Sequence, residues 1–259
     1  MEVNEPGIYR YRGREVKKEH ILPYGRKDLN FLPLIRDAAL KLKDASGAGG
    51  LKWHHYSHHL NSSQVLAVNL FQPLLQTGDE GLRTLAKITA TGFPCHNPTG
   101  FEFVPNPNEG TNIDFCVTGK GGQRVFMELK LTEEEFGSAR NDERHQNKFH
   151  DIYSPLCRNK ITLPDGAEWA TFKRFYQVFR NVVYADRKTK VWFVIPKPHQ
   201  VLLSQLNKAM TFVHPAITSQ IQVVHLGDLF RQIQLSVAPE APVAEHYMKF
   251  FKKYAPALV

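Results

Sequence analysis

The chain has 259 residues, 42% hydrophobic and 22% charged, with 17 Gly and 16 Pro scattered along it. That excludes collagen-like, low-complexity and wholly disordered classes, and it leaves enough apolar residues for the core of one large α/β domain. Lys and Arg outnumber Asp and Glu by 33 to 25, and the resulting formal charge of +8 suits a polyanionic partner such as nucleic acid.

The polar start, MEVNEPGIYRYRGREVKK, has no apolar centre of a signal peptide, and no later stretch approaches the roughly 18 apolar residues of a membrane span. A cytoplasmic protein with no membrane partner is the expectation. Residues 1–28 interleave Arg10, Arg12, Arg14, Lys17, Lys18, Arg26 and Lys27 with Tyr9, Tyr11 and Tyr24, without clear periodicity. This reads as a basic arm whose rings and guanidinium groups suit phosphate and base contacts, against the plainer reading of a solvated tail docked on the core. Leu32, Ile35, Ala39 and Leu42 predict a helix over 29–43, followed by a flexible Asp44-Ala-Ser-Gly-Ala-Gly-Gly connection.

A second helix starts at Asn61 or Ser62 as cap and runs toward Pro73, and a third covers Gly81 to Thr91. From Gly92 onward Gly, Pro and Asn punctuate short apolar runs: FEFV at 101–104, TNIDFCV at 111–117 and RVFMELKL at 124–131. A polar stretch follows to about Asp151, then a helix over Trp169 to Ala185 and a buried strand VWFVI at 191–195. A helix over 200–210, the strand IQVVHL at 221–226 and a short helix to Gln232 complete the alternation. Strands alternating with helices predict a mixed or parallel sheet covered by helices. Cys95, Cys116 and Cys157 form no CxxC pair and read as small buried hydrophobes, not as disulfides or zinc ligands.

The hairpin carries the chemistry. In RVFMELKL the pleat puts Val125, Met127, Leu129 and Leu131 on one face and Phe126, Glu128 and Lys130 on the other; in the preceding strand Ile113, Phe115 and Val117 share one face, with Asp114 and Cys116 opposite. Asp114 and Glu128 are equidistant from residue 121. A three-residue loop Lys120-Gly121-Gly122 would set them face to face, with Cβ atoms roughly 5 Å apart. A two-residue loop without a bulge would send them to opposite faces. Two close carboxylates repel unless a cation lies between them, and oxygen-only ligands point to Mg²⁺ or Mn²⁺. Such an ion with Lys130 beside it suits phosphodiester hydrolysis. The same acid-x-Lys spacing at Glu15-Val16-Lys17 and Asp186-Arg187-Lys188 lies in polar surroundings and reads as solvated charge.

The order helix, Asp, hairpin, Glu-x-Lys, helix resembles the PD-(D/E)xK nuclease superfamily. More narrowly, SSQVLAVNLFQPL at 62–74, FEF at 101–103, TNIDF at 111–115, ELKLTEEEFG at 128–137 and YQVFRN at 176–181 resemble a bacterial family of restriction-endonuclease-like proteins. The resemblance, over about residues 55–232, implies a restriction-endonuclease-like mixed β-sheet flanked by α-helices. It implies Asp114, Glu128 and Lys130 as a catalytic trio, with the Leu129 carbonyl in the metal shell. Ile113 stands where the superfamily's name has Pro. The acid that such nucleases often place on the first core helix is missing, since that helix offers Gln64 and Asn69; either a neutral amide lies near the metal or Glu102 supplies the ligand. Gln177, Asn181 and Arg180 share one side of the later helix and could reach the site or a phosphate, and Arg140 lies in the charged stretch that would meet DNA. In this reading 1–50 is a basic arm and helix, and 51–259 the nuclease-like domain.

His54, His55, His58 and His59 have the i, i+4 spacing of helical metal ligands, but no HExxH glutamate and no third ligand, so phosphate contact or helix-start packing outweighs a zinc hydrolase. His145 and His150 read as surface residues. The leading expectation is a metal-dependent endodeoxyribonuclease acting in restriction, defence or repair, with RNA as the other polynucleotide to test. Double-strand cutting from one site would favour a homodimer. The alternative is a noncatalytic nucleic-acid-binding protein with the same fold.

Overall fold

The computed structural model describes residues 7–11, 14–42, 51–95, 97–197, 199–239 and 241–258. The chain opens with an antiparallel hairpin, β1 (Gly7–Tyr11) and β2 (Arg14–Lys18). Its register sets Tyr9 across from Val16 and Arg10 across from Glu15. Pairing between strands is a signal invisible to periodicity along one strand. The expected contacts of Arg12, and of the Tyr9, Arg10, Tyr11 and Tyr24 side chains, fall outside what is described.

The helix expected over 29–43 is broken up. Two 3₁₀ turns, Tyr24–Asn30 and Pro33–Ile35, precede a short α1 (Arg36–Lys41). Leu32 is extended (ψ 148°), as Pro33 favours for the residue before it. Phe31, Leu32, Ile35 and Ala39 are buried in the main core. The Gly-rich connection at 44–50 lies outside the described residues.

α2 (Ser63–Gln76) starts where expected, its cap Ser62 accepting the Val65 N–H, and α3 (Asp79–Thr89) follows. The strands are β3 (Gly100–Phe103), β4 (Ile113–Thr118) and β5 (Arg124–Leu129). A helical region comes next: α4 (Glu143–Lys148), a π turn Phe149–Tyr153, α5 (Ser154–Cys157), α6 (Glu168–Arg174) and α7 (Tyr176–Val182). The single helix expected over 169–185 is thus two, parted at Phe175 (φ −109°, ψ 28°). β6 (Thr189–Ile195), α8 (Gln200–Met210), α9 (Pro215–Thr218), β7 (Ile221–His225), α10 (Leu226–Ser236) and α11 (Pro242–Leu258) complete the chain.

Strands β3 to β7 form one sheet in chain order. β3, β4 and β5 pair antiparallel, whereas β5, β6 and β7 pair parallel, through crossovers that place helices on the sheet. The fold is therefore the expected α/β class, a mixed sheet flanked by helices on both faces. Val117, Val125, Met127, Leu129 and Val194 face a core shared with α2, α10 and α11. Cys116, Phe126, Val191, Phe193 and Ile195 face a second core with α6, α7 and α8. No helix among the described residues is long and apolar enough to cross a membrane.

α11 goes beyond the expected elements, although buried Val243, Tyr247, Phe250 and Tyr254 recur at helical spacing. Its position answers a defect in α2. Pro73 has no N–H, so the carbonyl of Asn69, four residues earlier, has no intrahelical donor. His246 Nε2 lies 2.7 Å from that carbonyl and must be the donor, and Tyr247 donates to the Leu70 carbonyl at 3.0 Å. Burial lowers the His246 pKa, which keeps the ring neutral with its proton on this bond. His246→Ala should destabilise the fold by about 2 kcal/mol, because a buried carbonyl loses its donor and the packing is hollowed. Urea unfolding checks this; a loss below about 0.5 kcal/mol, the scale of an ordinary surface change, would show that the proline defect is answered elsewhere.

Candidate active site

The site rests on the parity of one loop. β4 and β5 pair Phe115 with Met127, Cys116 with Phe126, Val117 with Val125 and Thr118 with Arg124. The Gly119 N–H donates to the Gln123 carbonyl at 2.8 Å and encloses Lys120, Gly121 and Gly122, with both latter glycines at positive φ (71° and 75°). The loop therefore has the odd length that brings Asp114 and Glu128 to one side. Backbone pairing stops at Phe115–Met127, and beyond it the Leu129 N–H donates to Asp114 Oδ2 at 2.7 Å.

Across β3 the register is Phe101 with Phe115 and Phe103 with Ile113, which sets Glu102 level with Asp114. Glu102, Asp114 and Glu128 thus form one row over three adjacent strands. Glu102 adopts a left-handed backbone (φ 50°), a conformation that costs a non-glycine residue about 1 kcal/mol or more. At this row the pleat changes sides: Phe101 and Phe115 face the first core, whereas Ile113 and, at its edge, Phe103 pack in the second. The expected common face for Ile113, Phe115 and Val117 is corrected accordingly, because the left-handed turn at Glu102 and the splayed ladder at Asp114 rotate the strand ends.

Glu128 is 3% exposed and fully engaged. Lys130 Nζ donates to its Oε1 at 2.9 Å, Gln177 Nε2 to the same oxygen at 2.7 Å, and Asn181 Nδ2 to Oε2 at 2.9 Å. Gln177 and Asn181, one turn apart on α7, share a side as their spacing predicts. Burial pushes the Glu128 carboxyl upward, but Lys130, Arg180 and these hydrogen bonds outweigh it and hold the pKa below the ordinary carboxylate range. Asp114 goes the other way: burial first, then the Glu128 charge, raise it well above the usual value despite Lys130 and the Leu129 N–H. For Lys130, burial opposes the charge, but Glu128 and Asp114 prevail and keep the ammonium protonated.

Glu102, Asp114, Glu128, Lys130 and Gln177 line a cavity of about 290 Å³ that also receives His54, Ser63, Glu133 and Arg180. Gln64, on the first core helix, reaches it by donating to Glu102 Oε1 at 2.9 Å while its own oxygen accepts the His54 N–H. Asn69 does not: it is buried away from the cavity, bound to Leu32, Asn30 and Tyr254, and it ties α2 to α11 and the N-terminal turns. Arg140 is exposed and outside the lining. The histidine run at 54–59 is a turn, not a helix, so its i, i+4 pairs lack a common helical face. Asp186 accepts backbone N–H groups in an exposed turn, as expected of a charge outside the site, and Glu15 is exposed on β2, outside the cavity lining.

One buried network goes beyond the residues singled out in the sequence. Glu109, 2% exposed, accepts from the Thr111 N–H at 2.8 Å, from the Tyr184 hydroxyl at 2.9 Å and from the Tyr153 and Thr111 hydroxyls, and Lys148 Nζ lies 3.2 Å away. It pins the loop that brings Gly110 and Asn112 to the cavity wall. Its setting, Asn-Pro-Asn-Glu-Gly, reads from sequence as a solvated loop.

Among the described residues no three His, Cys, Asp or Glu side chains converge as a self-sufficient metal cage. Of the four acids at the cavity, the adjacent Asp114 and Glu128, with like-charge repulsion between them, fit a hard divalent cation that keeps water or phosphate in its remaining positions. A carboxyl whose folded pKa is raised favours the fold while protonated and loses that contribution as it ionises with rising pH. Asp114→Asn keeps an oxygen for the Leu129 N–H and removes the charge. Without divalent ions it should therefore unfold at a higher temperature than the parent at about pH 8, a gain that shrinks toward about pH 4. Equal midpoints throughout would count against carboxylate repulsion.

A model of the family described as "Restriction Endonuclease associating with ARP" matches residues 2–255. No curated protein and no solved structure matches the chain. With nearly its whole length matched, and a mixed, helix-flanked sheet beneath, the chain belongs to this restriction-endonuclease family.

Proposed function

We propose that the protein is a metal-dependent nuclease of the PD-(D/E)xK type that hydrolyses DNA phosphodiester bonds. The observation that carries this reading is the convergence of Asp114, Glu128 and Lys130 on one cavity in a chain of a restriction-endonuclease family. DNA is the substrate class such a family implies, and restriction, defence or repair are the settings that fit.

In this reading Asp114, Glu128 and the Leu129 carbonyl hold Mg²⁺ or Mn²⁺, with Glu102 as the neighbouring acid oriented by Gln64. A bound divalent ion supplies Lewis acidity toward the phosphate and lowers the pKa of water. The chain's own groups do the rest. Gln177 and Asn181 lock the rotamer of Glu128, which keeps its oxygens at the cavity. Lys130, charged and hydrogen-bonded to Glu128, stands where it can orient the attacking water or offset charge that grows on the phosphorane. Arg180 adds a second positive field at the cavity wall and favours a phosphate there. Cutting both strands calls for two copies of the site, which a homodimer would supply.

A noncatalytic nucleic-acid-binding role is the second reading, favoured by Gln64, a neutral amide at the position on the first core helix where an acid would complete the metal shell. A plasmid-nicking assay separates the two. Cleavage is expected with Mg²⁺ or Mn²⁺ and none with a chelator. Glu128→Ala and Lys130→Ala should each lower the rate by about 10² or more, whereas His55→Ala should not. Binding without cleavage under either metal would leave the second reading, and loss of activity in His55→Ala alone would move the chemistry to the histidines.

A further inference from the structure

A second cavity, of about 500 Å³, adjoins the first, and His54, Ser63 and Glu133 line both. A strand bound at Asp114 and Glu128 can therefore run on into it without leaving the protein surface. Its walls are rings. Tyr56 is 52% exposed and lies 5.0 Å from His59, tilted by 59°, and His20 meets His59 nearly edge-on at 6.1 Å. Burial first, then the charges of His58, His20 and His55, bring the His59 pKa down to about 4, so its ring is uncharged at neutral pH.

The flat rings of Tyr56 and His59, with their polar edges, are surfaces on which any nucleobase stacks. Charge is arranged to match a backbone. Exposed Lys18 stands at the lining, and the N-terminal end of α2 arrives with Ser62 and Ser63. Glu133, the acid of this lining, turns Oε2 to the N–H groups of Leu131 and Thr132, at 2.7 and 3.1 Å.

We propose that this second cavity seats an unstacked nucleotide of the substrate strand beside the scissile phosphate, its base against Tyr56 and His59 and its phosphate toward Lys18 and the start of α2. The proposal rests on the nuclease reading and adds to it a preference: a base can enter only after leaving its stack, so single-stranded, frayed or flap-ended DNA is favoured over blunt duplex.

The test separates binding from cleavage. Anisotropy titrations of the full chain, in chelator, use a labelled twelve-nucleotide strand and a blunt hairpin duplex of the same sequence. The strand should bind about tenfold more tightly, and Tyr56→Ala should lose about tenfold on the strand while Tyr56→Phe retains affinity, as expected for one stacked base. Lys18→Ala should weaken binding and flatten its salt dependence. Equal affinity for strand and hairpin, or a Tyr56→Ala chain that binds like the parent, overturns the subsite; if Mg²⁺-dependent cleavage persists in that case, the nuclease reading stands without it. Tyr56-dependent strand binding in a chain that cuts nothing with Mg²⁺ or Mn²⁺ overturns the placement beside a scissile bond, and the nuclease reading falls with it.

Discussion

A carboxylate in the middle of a sheet must be neutralised, paired or both, and Glu128 is the point around which this molecule is arranged. At 3% exposure its charge survives because an ammonium and two amides converge on it. Those partners come from two directions, Lys130 from just beyond β5 and Gln177 with Asn181 from α7. The need to hold one anion therefore docks a helix of the second core against the central strand. α7 carries Arg180 with it and so brings a further positive charge to the cavity.

The neighbouring acid is held in the opposite condition. For Asp114 the Lys130 charge at a distance and one backbone N–H do not offset its burial and the Glu128 charge, which is why its proton is retained far more readily. Two carboxyls on adjacent strands thus differ because one received the direct hydrogen bonds of the ammonium and the two amides and the other did not. Such a pair is poised to accept positive charge: the fold holds a repulsion that a divalent ion would relieve, and an ion bound there would couple its occupancy to stability. The left-handed Glu102 next to it is a second local cost at the same row of the sheet.

Much of this was legible in the sequence for a simple reason. Strand alternation and the symmetric distance of Asp114 and Glu128 from Gly121 are one-dimensional properties, and a three-residue glycine loop converts them directly into facing residues. Gln177 and Asn181 were legible through helical spacing in the same way. What escaped depends on three dimensions. The change of pleat at Ile113 follows from the backbone of Glu102 on another strand, and Asn69 serves α11, far away in the chain, instead of the cavity. Glu109 is buried by tyrosines from later segments, so nothing beside it in sequence marks it as different from a solvated acid. The β1–β2 hairpin depends on cross-strand partners, which a scan along one strand does not weigh.

The proline within α2 has a consequence for how the molecule is made. α2 carries Gln64 to the cavity, yet the Asn69 carbonyl freed by Pro73 finds its donor on α11, which is translated after every strand of the sheet. Until α11 has left the ribosome, the nascent chain holds an incompletely bonded helix and an uncovered apolar face on one side of the sheet. A ribosome that stalls within α11 would therefore hold a chain whose α2, and with it the Gln64 arm of the cavity, is not yet fixed in place.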